Sequence, residues 1–137
     1  MPQHQPMKPI ICCTLIVFAL TGCTSHWFDP PPPSTAKNPP IYSDAQQVQS
    51  EDMTVPGGKG KQISYEAAAE ASAVLDFYKD ALVKDGWSIE NYTTPEPDSL
   101  HFYWVQGCPF YELDVKVTPM VAQQSKVEIK VAERGCY

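Results

Sequence analysis

Near the C-terminus, the segments FYELDVKVT (110–118) and KVEIKVA (126–132) alternate apolar and polar residues. That period of two belongs to strands, in which successive side chains point to opposite faces. Slipping such a strand by one residue would turn its apolar set outward, so the pattern fixes the pairing register as well as the conformation. If the two segments pair antiparallel with apolar faces matched, Val117 meets Val127, Val115 meets Ile129 and Leu113 meets Val131. The numbers in each pair add to the same total, and so do those of Cys108 and Cys136. The register therefore carries the two cysteines opposite each other. Strict alternation would turn them to the other face, but Pro109 and Gly135 can break the regularity there.

KQISYE (61–66), WSIENYT (87–93) and LHFYWVQ (100–106) read as further strands, separated by the turn signals TPEPDS (94–99) and TPMVAQQS (118–125). Between the first two lies EASAVLDFYKDALVKDG (70–86), where Ala71, Val74, Leu75, Tyr78 and Leu82 recur at helical spacing, with Phe77 and Ala81 on one flank. Lys84 suits the C-terminal end of the helix dipole and Gly86 is placed to end the helix; no clear N-cap marks its start. The expected order is β-α-β-β-β-β, an α+β fold of two layers in which one amphipathic helix packs on one face of an antiparallel sheet.

The N-terminal part has another character. IICCTLIVFAL (10–20) is apolar throughout, yet as a helix it would cover only about half of a bilayer core roughly 30 Å thick. Its length fits the apolar region of a secretory signal, and Lys8 supplies the preceding positive charge. A start at Met7 gives the more usual opening MKPII, with lysine directly after the initiator.

Leu20, Thr21, Gly22 and Cys23, which close this run, resemble the lipobox of bacterial lipoproteins. The resemblance implies removal of residues 1–22 as a signal peptide and a diacylglycerol on Cys23, so that the partner of the N-terminus is a membrane, reached through lipid. Two or three acyl chains hold a protein on a bilayer where one does not, at about 0.8 kcal/mol per buried CH₂. Thr24 is not the aspartate associated with inner-membrane retention, so in a host with two membranes the expected location is the outer membrane, facing the periplasm. With one membrane, it is the outer face of the cytoplasmic membrane.

After such cleavage nine Lys and Arg face sixteen Asp and Glu, a net charge of −7 against −6 for the whole chain. This balance excludes nucleic acid as a natural partner. Cys12 and Cys13 leave with the signal and Cys23 is lipidated, so Cys108 and Cys136 remain, and an exported pair reads most simply as a disulfide. The rival reading, free thiols or metal ligands, lacks a second CxxC or a nearby histidine pair, and neither a metal nor a cofactor is expected. Residues 23–50, rich in proline and poor in aliphatic residues, read as a semi-stiff tether. Residues 51–137 read as one globular domain.

Within that domain, Phe77, Tyr78, Leu82, Gly86 and Trp87 form an FYxxxLxxxGW phrase that resembles one in small, uncharacterised exported modules. The resemblance implies kinship of fold and carries no activity. VPGGKGKQ (55–62) is glycine-rich and basic but lacks the spacing of a phosphate-binding loop, and reads as a turn entering a strand. No serine sits in a nucleophile elbow, and Asp76, Asp80, Glu112, Asp114 and Glu128 fall on polar faces where solvation accounts for them. No catalytic residue is assigned. On LHFYWVQ, alternation points Leu100, Phe102 and Trp104 inward and leaves His101, Tyr103 and Val105 outward, with Tyr92 on the neighbouring strand. This aromatic island in a charged face is the candidate contact surface for an envelope protein or glycan. The expected function is a lipid-anchored accessory or binding module of the envelope, such as an inhibitor or a subunit of a complex. The alternative is a small envelope hydrolase with His101 as its base.

Overall fold

Alternation organises the C-terminal half as a meander. A computed structural model describes residues 30–90 and 98–136. Its strands are β1 (Gln46–Val55), β2 (Gly58–Ala67), β3 (Ser88–Ile89), β4 (Ser99–Trp104), β5 (Phe110–Pro119) and β6 (Ser125–Arg134), and its helix is α1 (Ala71–Lys84). The six strands form one antiparallel sheet in the order β1-β2-β6-β5-β4-β3, an α+β fold with α1 packed over β3, β4 and β5. β5 and β6 pair in the register their apolar residues demand: Leu113 with Val131, Val115 with Ile129, Val117 with Val127. All six are buried. Carried past Phe110 and Arg134, that register ends in a disulfide between Cys108 and Cys136, with Cα atoms 5.8 Å apart.

The helix buries Val74, Tyr78 and Leu82 completely, with Leu75 and Phe77 packed partly against the core. Its end is built by Gly86, whose φ of +100° is costly for any residue with a Cβ. There Gly86 N donates to Val83 O and Trp87 N to Leu82 O, the paired bonds of a Schellman cap. Glu70 occupies the N-cap position without a side-chain cap hydrogen bond, as the missing N-cap signal foretold. The link from β2 into the helix is held instead from across the sheet, where buried Ser125 donates its hydroxyl to Ala69 O at 2.8 Å.

Two expectations are corrected. The expected order lacked β1, which pairs with β2 through a turn at Pro56 and Gly57, where Gly57 takes a φ of +74°. β1 is an edge strand, exposed on both faces from Gln46 to Asp52, so burial never imposed an alternating pattern on it. The tether expected over 23–50 also gives way well before its end. Residues 30–45 form a strap that lies against α1 and β2, burying Pro33, Ala36 and Pro39.

The strap is bound by specific polar contacts. A 3₁₀ turn at Ser34–Ala36 faces the Asp85 carboxylate, which accepts from Thr35 N (2.9 Å), Thr35 Oγ1 (2.7 Å) and Ser34 Oγ (3.0 Å). Trp87 Nε1 donates to Thr35 Oγ1 at 2.8 Å. Burial pushes the Asp85 carboxyl up, but the hydrogen bonds from Thr35 and Ser34 outweigh it and hold the group below the ordinary carboxylate value. Farther along, Tyr78 Oη donates to Pro40 O (2.8 Å), and Tyr65 Oη lies 2.5 Å from Tyr78 Oη and accepts from Tyr42 N (3.2 Å). With Tyr78 donating to Pro40, Tyr65 must donate to Tyr78, so both hydroxyls are satisfied. Burial is the main reason both phenols are held above the ordinary tyrosine value.

Candidate functional site

Helix and strap both lie on one side of the sheet, and none of the described residues covers the opposite face. Its residues follow from the pleat: in β4, Phe102 and Trp104 are buried beneath the helix side, which turns His101 and Tyr103 outward, and Val105 follows just past the strand with 62% of its surface exposed. The two faces of this strand are as its alternation predicts. Tyr92, the fourth member of the expected island, and the lipidation candidate Cys23 lie outside the described residues.

His101 is not the isolated strand histidine that the sequence suggests. It stands opposite Asp114 on β5, and its Nδ1 contacts Asp114 Oδ1. On the other side Nε2 lies 3.4 Å from Glu90 Oε2, and Glu90 is aligned there because its backbone N donates to His101 O at 2.9 Å. Both ring nitrogens thus face carboxylates, one from β5 and one from the residue that follows β3. Asp114, expected to be merely solvated, has this specific partner. So does Glu112, opposite Tyr103, which accepts from Arg134 Nε at 2.5 Å while Arg134 Nη1 donates to Pro56 O at 2.7 Å.

The geometry bears directly on chemistry. A general base needs one ring nitrogen free to reach the proton it removes, with a carboxylate on the other to orient the ring. Here a second carboxylate lies 3.4 Å from the other ring nitrogen. Among the described residues no group of three histidine, cysteine, aspartate or glutamate side chains is placed to hold a metal ion. The two carboxylates flank the imidazole rather than converge with it. Also among the described residues, no helix is long and apolar enough to cross a membrane.

Asp114 could have been found from sequence, because the alternation of β4 and β5 puts His101 and Asp114 on the same face. Glu90 could not, since its approach depends on where the short strand β3 stops.

No protein-family model matches this chain, and no curated protein matches it. Among solved structures it is similar to the crystal structure of CalU16 from Micromonospora echinospora, at 18% sequence identity and a TM-score of 0.44; the match covers 64% of this chain and 69% of that one.

Proposed function

We propose that this chain is a lipid-anchored binding module of the cell envelope, an accessory subunit or inhibitor that meets an envelope protein on the open face of its sheet. The observation that carries the reading is the placement of His101 between two carboxylates on a sheet face that no described residue covers and that also presents Tyr103 and Val105. Paired charges around a few aromatic and apolar groups suit recognition: rings in such settings supply much of the contact energy, while the surrounding ion pairs set orientation. The same pairing of His101 counts against a hydrolytic role. The lipobox resemblance at Cys23 supports the membrane attachment, with the outer membrane as the site in a host that has two.

The test has two arms. Cells fed a fatty-acid analogue should label the wild-type protein and leave Cys23→Ala unlabelled and unprocessed; equal labelling of both removes the anchor. Tyr103→Ala should reduce capture of the envelope partner with the fold intact, and His101→Ala should do so more mildly. A loss of turnover of about a hundredfold or more in His101→Ala, on any envelope substrate, would instead establish general-base catalysis.

A further inference from the structure

The side of the sheet that carries the helix is not apolar along its whole length. In β2 the inward series runs Lys59, Lys61, Ile63, Tyr65 and Ala67, so its first two members are charged where the last three are core. The helix covers β3 to β5 and does not extend over this corner. What remains is a groove of about 230 Å³ between the strap and the sheet. Ala36 and Lys37 of the strap form one wall, Tyr111 and Val131 the floor, and Lys59, Lys61, Asp52 and Glu133 the rim.

The charges in the groove are not balanced. Lys59 Nζ lies 3.6 Å from Glu133 Oε1, and Tyr111 Oη donates to Glu133 Oε2 at 3.4 Å, so Glu133 is turned toward these two groups. Lys61 is half-buried and stands opposite Asp52 in the register, yet neither Lys61 nor Lys37 comes within ion-pair distance of a carboxylate among the described residues. Three lysines against two acids, on a chain whose net charge is −6, leave a local excess of one positive charge beside an apolar and aromatic floor. A half-buried ammonium without a counter-ion loses hydration that an anionic ligand would restore.

We propose that this groove binds a small organic monocarboxylate, with its carboxylate on Lys61 and its apolar body against Tyr111 and Val131. A phosphate dianion fits less well, because the excess is one charge, two carboxylates stand at the rim, and the floor offers carbon. The volume is below that of drug-sized sites, so the ligand it takes is a small one. The groove lies on the face opposite His101, so the proposal is independent of the open face.

Phenylacetate matches the groove in size and charge. The full chain, ¹⁵N-labelled, is titrated with sodium phenylacetate, with neutral phenylacetamide and with inorganic phosphate. Saturable shifts of the Gly60, Lys61 and Val131 amides are expected with phenylacetate alone, at millimolar affinity. Lys61→Gln should weaken the binding about tenfold and Lys61→Arg should keep it, while Lys79→Gln, on the exposed side of α1, changes nothing. Equal binding of phenylacetamide, a response to phosphate alone, no saturable shift, or unchanged affinity in Lys61→Gln would each overturn the proposal. The comparison of phenylacetate with phenylacetamide on the wild-type chain decides the matter even if the glutamine variant fails to fold.

Discussion

In the β5–β6 hairpin, Leu113, Val115 and Val117 meet Val131, Ile129 and Val127 away from water, and a disulfide closes the open end. The strap over 30–45 rests on the same body and buries little more than Pro33, Ala36 and Pro39; its hold comes from Asp85, Thr35, Trp87 and the tyrosine chain to Pro40. The hairpin distributes its stabilisation over many apolar contacts and one covalent link, which do not titrate, alongside ionisable pairs such as Glu112 with Arg134 and Tyr111 with Glu133 at the end near the disulfide. The strap concentrates its stabilisation in a few hydrogen bonds, several on ionisable groups. One region should therefore respond chiefly to reduction, the other chiefly to pH.

The largest effect is expected from Cys108→Ser. Closing a loop with a sequence separation of 28 residues stabilises by about 3.5 kcal/mol on the chain-entropy model. At 4 to 8 °C per kcal/mol for a domain near this size, the melting temperature should fall by well over 10 °C. Intact mass should show two hydrogens fewer than the reduced chain, and thiols that titrate in the native wild-type protein would refute the bridge.

Next comes Tyr78→Phe, which removes the donor to Pro40 and the acceptor for Tyr65 together. A buried hydroxyl left without its partner makes the loss about 2 kcal/mol, smaller than that of the disulfide. The pH dependence carries the same signature. Tyr65 and Tyr78 hold their protons more tightly folded than unfolded, so their contribution is complete below about pH 10 and is lost as the pH rises beyond it. Unfolding followed from pH 8 to 12 should show wild-type stability falling above pH 10, and Tyr78→Phe should fall less steeply. Parallel curves would break the contrast between hairpin and strap.

The smallest effect belongs to Asp85→Asn, about 1 kcal/mol for hydrogen bonds at a partly exposed carboxylate. Its sign with pH is opposite. The folded state holds this carboxyl below its ordinary value, so the stabilisation is present above about pH 4 and is lost as the pH falls through the folded value. The asparagine variant should lack that acid-side decline, which a melting series between pH 2 and 5 would detect.

The same contrast explains what could be read from the sequence. Hairpin register, the two faces of β4 and the glycine that ends α1 were legible because burial and backbone sterics write periodic or residue-specific signals. β1 left none: in QQVQSEDMTV, Val48 is 51% exposed and nothing selects for alternation. The strap hid behind its prolines, whose composition suits an extended linker, while its attachment depends on a threonine hydroxyl, a carbonyl and a tyrosine amide that carry no pattern. At the candidate site His101 stood out by residue type and Asp114 was within reach of the β4 and β5 alternation, but Glu90 depends on where the short strand β3 stops.

Docking of the strap also sets a working radius. Had the segment from Cys23 to Ser50 been free, its 28 residues at about 3.3 Å each would have let the domain roam about 90 Å from its attachment point. With Pro33 seated on the body, only ten residue steps separate it from Cys23, and their contour length caps the reach at about 35 Å. On the proposed lipid anchor, the partner must then present itself close to the bilayer surface, since this domain cannot search the depth of the compartment for it.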